Sequence, residues 1–339
     1  MKNKKILIID SHTLPMESVE FLQSYGFDAT LLKFKEPQRY FYGSSFVDRI
    51  ENIIQRVFLK NKLFINTLKL RKHKKDCYIS LKEFLKNNIK YDYILVFRPD
   101  SFDQKFFQLL KKKSNKCIGY MWDALNDFQF SELKKSRPFL DDLFLFENAD
   151  LTKFPSLKAK KGSNFYYETP QIKNIKKKNL ISYLGHITPE RRDLAIDKMI
   201  PFFQKTNYEM SFYILNNIDA DVTSLINKNA IEYISSRHSY NKHLSLMAKS
   251  KVSLDLNPSY HEEFSFRVYE SMYYETKLIT TNRKILQFPL YRKENFLLIE
   301  NQDDLEKIPE FIKEKYTPYS EEELAPYRFD NWLINAFES

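Results

Sequence analysis

The chain has 339 residues, 43% hydrophobic and 29% charged, with 54 Lys and Arg against 44 Asp and Glu for a formal charge of +10. That length fits two domains better than one large one. The balance excludes a disordered or fibrous chain and favours anionic partners. Only five glycines occur, none close enough to another for G-x-G-x-x-G or a P-loop, so a phosphate here must be held by helix N-termini and side chains.

In chain order, Lys5–Asp10 is an apolar run that predicts a first strand, followed by a polar loop with His12 and a helix from Pro15 to Tyr25. Gly26 closes that helix, and Asp28–Phe34 predicts a second strand. Phe46, Ile50, Ile53, Ile54 and Val57 share one face of a predicted helix over 44–72. Further elements are a helix near 79–88, strand Tyr91–Phe97, a helix near 103–112, and strands at Lys116–Trp122 and Asp142–Phe146. Residues 150–179, with Pro155, Gly162 and Pro170, break the rhythm and predict a linker holding one short strand at 164–167. A second series follows, with strands at Leu180–Leu184, Met210–Leu215, Ala230–Ile234, Val252–Leu256, Lys277–Thr281 and Phe296–Ile299. Its helices are predicted at 189–203, 240–249, 264–274 and 302–315, with a final helix in 320–337. Strands alternating with helices imply parallel sheets covered on both faces, which bind ligands at the carboxyl ends of their strands.

Cys77 and Cys117 are too few for a disulfide framework, and no Cys/His set has zinc spacing. The apolar part of Met1–Asp10 is too short for a signal peptide, and no stretch approaches the length of a membrane span. The expectation is a cytoplasmic protein, with the inner face of the cytoplasmic membrane as its one membrane location. Much of the lysine surplus also has a bland source: Lys with abundant Asn, Ile, Phe and Tyr matches an AT-rich genome.

Two segments carry candidate chemistry. In the first, an apolar strand runs into Gly185 and His186, then Thr188 as helix cap, Pro189 in the first turn, and Arg191. A helix N-terminus beside an arginine seats a diphosphate, and a plain strand–turn–helix with solvent-facing arginines is the competing reading. In the second, a strand ends at Asn257-Pro258, a polar loop carries Glu262, and a helix opens with Arg267 and Glu270 three apart on one face. A surface ion pair between those two is the competing reading. Asp219-Ala-Asp221 resembles the D-x-D string by which GT-A glycosyltransferases hold a metal on the donor diphosphate, a competing type, although two Asp one apart are also common by chance.

Gly185 and Arg191 after a strand, followed by Arg267-Val-Tyr-Glu270 before Lys277-Leu-Ile-Thr, resemble the C-terminal half of GT-B glycosyltransferases. The chain is most similar to the CgeB-like and lipopolysaccharide-biosynthesis branch, and Tyr120-Met-Trp-Asp123 resembles a strand end of its first half. The residues Tyr273-Tyr274-Glu275 replace the small residue and glycine usual after R-x-x-E. The resemblance implies two Rossmann-like α/β domains facing across a cleft: an acceptor domain at 1–165, a nucleotide-sugar domain at 166–317, and a C-terminal helix, 318–339, packing back toward the first. It implies a donor site of Gly185, His186, Arg191, Asn257, Arg267 and Glu270, and transfer without a metal or other cofactor. His12, Asp123 and Glu262 are the catalytic candidates, Glu262 and Glu270 having the E-x7-E spacing of some retaining enzymes.

The implied partners are a nucleotide sugar and a glycan or lipid-linked acceptor of the lipopolysaccharide or capsule type, with no nucleic acid. Segment 44–75, an apolar helix face flanked by Arg49, Arg56, Lys60 and others, is either a contact with an anionic membrane or a helix packed on its sheet. Two further functions compete: a basic nucleic-acid-binding protein, and a non-catalytic sugar- or nucleotide-binding relative of the same fold. On the enzyme reading, removing Arg267 or Glu270 stops donor turnover and leaves the protein folded.

Overall fold

The computed structural model describes residues 3–11, 16–35, 46–61, 64–186, 194, 198–206, 208–215, 231–234, 239–258 and 261–339. The chain divides into two compact units, Met1–Gly162 with Ala336–Ser339, and Ser163–Asn335. Each is α/β and built on one six-stranded parallel sheet, as the alternating pattern predicts.

In the first unit the strands are β1 (Lys5–Asp10), β2 (Asp28–Lys33), β3 (Tyr91–Phe97), β4 (Ser114–Met121), β5 (Asp142–Leu145) and β6 (Lys160–Lys161), in the order β2-β1-β3-β4-β5-β6. The continuous apolar runs of β1 and β3 are what a strand buried on both faces requires, and Ile6, Ile8, Ile94 and Val96 are all inaccessible. Helices α1 (Met16–Ser24), α2 (Phe46–Ile53), α3 (Phe64–Phe84), α4 (Gln104–Lys111) and α5 (Asp127–Ser136) complete this unit's longer elements. Asp103 caps α4 by accepting from the Phe106 amide at 2.8 Å, and Asn126 with Gln129 forms a capping box on α5. Leu81 of α3 and Phe106, Phe107 and Leu110 of α4 pack on Leu7, Ile9, Ile94 and Val96.

In the second unit the strands are β7 (Lys178–His186), β8 (Glu209–Leu215), β9 (Ile231–Ile234), β10 (Ser250–Asp255), β11 (Lys277–Thr280) and β12 (Phe296–Leu298), in the order β12-β11-β10-β7-β8-β9. Apolar clusters cover both faces. Ile181, Phe212, Val252 and Ile279 pack with Phe203 and Phe311. Leu278 and Phe296 pack with Leu244 and Met247 of α6 (Tyr240–Lys249) and with Val268 and Met272 of α7 (Phe266–Tyr273). The last helix is α8 (Phe329–Glu338).

Three expectations differ from the structure. The helix over 44–72 breaks after Phe58, where Lys60 takes a left-handed φ of 52° and the Asn61 amide turns back to the Gln55 carbonyl; a separate helix, α3, then runs through 79–84. Residues 164–167 form no strand: Tyr166 makes one isolated parallel bridge to Arg328. They are also no loose linker, because Phe165, Tyr166 and Tyr167 are buried among Phe266, Tyr273, Phe329 and Trp332. The short strand β6 pairs Lys160 and Lys161 with Phe144 and Leu145 where no strand was predicted.

Candidate functional site

In an open parallel sheet the strand order reverses at one point, and the crevice at the carboxyl edge there receives ligands. In the second unit that point lies between β7 and β10. Arg267 bridges it. Its Nη1 lies 3.4 Å from Asp255 Oδ1 at the end of β10, and its Nη2 donates to the Leu184 carbonyl near the end of β7. Asp255 is fully buried, and its second oxygen accepts from the Thr280 hydroxyl at 3.3 Å. Gly185 sits beside this arginine for a steric reason. A Cβ there would stand 2.7 Å from the Tyr183 hydroxyl oxygen, so the strand cannot carry a side chain without moving that ring. His186 ends β7, and its side chain lies outside the described residues.

Glu270 does not pair with Arg267. It is fully buried on α7, where its carboxylate accepts from the Tyr240 hydroxyl and lies 2.9 Å from His243 Nε2, both on α6. Burial, and next the Glu270 carboxylate, push the Tyr240 phenol well above its ordinary pKa, so its hydroxyl stays protonated and donates. Arg267 and Glu270 are therefore not the surface ion pair that their spacing allowed. Each is directed to a partner on another element.

A cavity of about 700 Å³ opens at the carboxyl ends of β10, β11 and β12, lined by Asn257, Glu262, Thr281, Asn282, Arg283 and Lys284, and further by Lys198 and Glu300–Gln302. Its walls are tied together by short polar contacts. The Asn257 amide donates to Thr281 Oγ1 at 2.9 Å, joining the ends of β10 and β11. The Asn282 side chain donates to the Glu262 and Glu263 carbonyls at 3.1 and 3.0 Å, holding the loop before α7. Asp304 accepts from the Glu300 and Asn301 amides and fixes the loop after β12.

The cavity carries charge of both signs. Lys284 pairs with Glu262 at 2.6 Å, and Arg283 with Glu300 at 2.7 Å. Such exposed pairs contribute little to stability, so their cations can be reassigned to an anion at small cost. Lys198 has no ion-pair partner among the described residues. Two buried donors at this edge are also without a partner among the described residues, Asn257 Nδ2 and Arg267 Nε, as is the Ser265 hydroxyl just before α7. Buried donors are nearly always paired, so Asn257 Nδ2 on the cavity wall points to a ligand acceptor there.

The first unit has a matching feature that sequence reasoning missed. Its order reverses between β1 and β3. There Arg98 takes a left-handed φ of 51° directly after β3 and donates to both Asp100 oxygens, at 2.9 and 2.8 Å. Burial alone would lower the Arg98 pKa, but Asp100, with Asp123 and Asp10 behind it, more than offsets this and holds it above the ordinary arginine value. Asp123, half-buried just beyond β4, thus belongs to a charged group at this sheet's carboxyl edge.

Of the predicted site residues, Asn257 and Glu262 line the cavity, Gly185 and Arg267 stand at the switch point, and Glu270 is buried against α6. His12, Arg191 and the Asp219–Asp221 string lie outside the described residues. Thr281–Lys284 and Glu300–Gln302 were not foreseen; the signal was their position just after strands β11 and β12. Among the described residues no group of three or more His, Cys, Asp or Glu could hold a metal ion.

No family model matches the chain, and no curated protein matches it. Solved structures do. The N-terminal domain of Candida albicans trehalose-6-phosphate phosphatase is similar over 99% of this chain and 96% of its own, with a TM-score of 0.57 and 10% identity. A UDP-forming trehalose-phosphate synthase from Burkholderia xenovorans, solved with glucose-6-phosphate, gives 0.56 at 10% identity over 98% of this chain and 99% of its own. UDP-GlcNAc 2-epimerase from Methanocaldococcus jannaschii gives 0.52 at 10% identity, with 98% and 99% covered. At these identities the likeness is one of fold, and that fold is of the GT-B type.

Proposed function

We propose that the chain is a nucleotide-sugar-dependent glycosyltransferase whose donor binds in the second unit. The observation that carries this reading is the cavity of about 700 Å³ at the carboxyl edge of that unit's sheet, with the unpartnered donor Asn257 Nδ2 in its wall. Its volume falls within the ~300–1,000 Å³ of small-molecule sites. On this reading Lys198, Arg283 and Lys284 hold the diphosphate, while Asn257 and the Glu262 carboxylate take hydroxyls. Arg191 and His186, at and after the end of β7, belong to the same proposed donor set.

The reaction asks for an acceptor hydroxyl that attacks the anomeric carbon. A new C–O bond forms, the bond from that carbon to the donor phosphate oxygen breaks, and the nucleotide diphosphate leaves with the electron pair. The hydroxyl proton passes to a base, for which His12 and Asp123 are the candidates. The cations of the cavity offset the charge that grows on the leaving phosphate. Transfer without a metal, and an acceptor of the lipopolysaccharide or capsule type as in the CgeB-like branch, belong to the proposal.

The UDP-forming synthase and the epimerase bound to UDP-GlcNAc that are similar in fold support a nucleotide sugar as the class to try first. The test is a thermal-shift screen of nucleotide sugars followed by calorimetric titration. A specific shift that Lys198→Ala and Arg283→Ala each weaken about tenfold in Kd is the expected result. No shift with any nucleotide, against saturable binding of a nucleic-acid duplex, would overturn it in favour of the nucleic-acid reading.

A further inference from the structure

Helix α2 and the turn that continues it, Ile54–Phe58, are mounted with their polar side inward. Asp48, Glu51, Asn52 and Gln55, spaced three and four apart, are the half-buried residues. Arg71 of α3 reaches them, with Nη1 2.9 Å from Glu51 and 3.9 Å from Asp48. Every large apolar side chain of the element faces solvent: Phe46 is 77% exposed, Val57 63% and Phe58 75%, with Val47, Ile50, Ile53, Ile54 and Leu59 beside them. No residue of α2 or of the turn is buried.

This inverts the arrangement of a helix packed on a core, whose apolar stripe goes inward. An exposed apolar face of this extent marks an interaction surface. Its charge identifies what it meets. Both acids face the single guanidinium of Arg71, whereas Arg49, Arg56 and Lys60 are exposed and have no ion-pair partner among the described residues. Arg49 on α2 and Arg56 on the turn that continues it, seven residues apart, are both exposed and lie off the half-buried side. Apolar side chains bordered by unpaired cations fit the boundary between acyl chains and anionic headgroups. A second copy of this chain fits poorly, because two such faces would bring two sets of free cations together on molecules that already carry +10.

We propose that this face docks the protein on an anionic lipid bilayer. The apolar side chains enter the headgroup–acyl boundary, and Arg49, Arg56 and Lys60 lie at the level of the lipid phosphates. The proposal does not depend on the donor reading, and failure of either leaves the other standing.

The full chain is sedimented with vesicles of phosphatidylcholine alone and of phosphatidylcholine mixed equally with phosphatidylglycerol. Binding to the mixed vesicles, little to the neutral ones, and weakening by salt are expected. Arg49→Glu with Arg56→Glu lowers partition at least about 25-fold, about fivefold for each lost cation. Val57→Asp with Phe58→Asp abolishes binding, while Phe128→Asp, at an exposed phenylalanine elsewhere, leaves it unchanged. All these side chains are exposed, so unchanged melting curves accompany the losses. Absence of binding to mixed vesicles, or binding undiminished by Val57→Asp with Phe58→Asp, overturns the proposal. So does a lipid-free dimer in light scattering that the same pair of changes dissolves, which would assign the face to a second copy.

Discussion

Glu270→Ala is the perturbation on which sequence and structure disagree most sharply. The R-x-x-E resemblance makes Glu270 a donor ligand that can be removed from a folded protein. In the structure its carboxylate is fully buried and engages two donors, the Tyr240 hydroxyl and His243 Nε2. Truncation leaves both without an acceptor. A buried donor stripped of its partner costs about 1–3 kcal/mol, so the pair costs about 2–6 kcal/mol, less what is regained by no longer burying a carboxylate. A net loss of about 2–5 kcal/mol is a large part of the ~5–15 kcal/mol that keeps a domain folded.

Glu270→Gln keeps the shape and one acceptor oxygen, so about half that loss is expected. Because the chain has two units, the readout is urea unfolding together with hydrogen exchange of the α6 and α7 amides, which report on the second unit alone. Combining Glu270→Ala with Tyr240→Phe should cost less than the sum of the two, by about 1–3 kcal/mol. The reasoning is refuted if Glu270→Ala shifts stability by less than about 0.5 kcal/mol, or if the two changes add. A direct donor role is then read from Glu270→Gln in the cold, as a rise in nucleotide-sugar Kd while α6 and α7 stay protected.

Further outcomes follow from single contacts. Burial, with Lys74 beside it, pushes His73 down to about 4 from 6.5, so between those pH values the unfolded chain binds a proton that the folded chain refuses. Stability is therefore full above pH 6.5 and falls by up to about 3 kcal/mol as pH drops to 4. His73→Gln removes that slope, and identical melting profiles of the two proteins between pH 7 and 4 would refute it. Gly185→Ala drives a Cβ toward the Tyr183 hydroxyl, costs about 1–3 kcal/mol, and is partly rescued by Tyr183→Phe; a neutral Gly185→Ala would show that the ring moves freely. Arg98→Met leaves Asp100 facing Asp10 and Asp123 without their cation and costs about 3–5 kcal/mol at pH 7. Arg98→Lys, which restores a cation, recovers part of that loss, and a loss that Arg98→Lys does not reduce would sink the electrostatic account.

Strands were legible where one kind of residue fills them. Lys5–Asp10 and Tyr91–Phe97 have the bounds that the sequence predicts, because an apolar run between polar loops leaves a doubly buried strand no alternative. Helix ends set by a single backbone conformation were not. The break at Lys60 rests on one left-handed residue and one backed hydrogen bond, which Leu-Lys-Asn does not announce. The candidate site was half legible for the same reason. Asn257 and Arg267 follow from their place at a strand end and a helix start. Arg98 does not, because it rests on a left-handed backbone that turns it onto Asp100, and the partners of Glu270 do not, because they stand on another helix.

Helix α2 shows where this limit is physical. Phe46, Ile50, Ile53 and Val57 repeat with the helical period whether their stripe lies on a sheet or in water. Periodicity gives the existence of an apolar face and says nothing of what covers it. The polar face carries the missing information in pairs. Glu51 and Asp48 meet Arg71, twenty and more residues away, on the side of the helix opposite its apolar stripe. The acids thereby face Arg71 of α3, and the cations left over stand beside the exposed stripe. An apolar surface whose acids lie on the far side and whose cations border it is complementary to an anionic bilayer both in polarity and in charge.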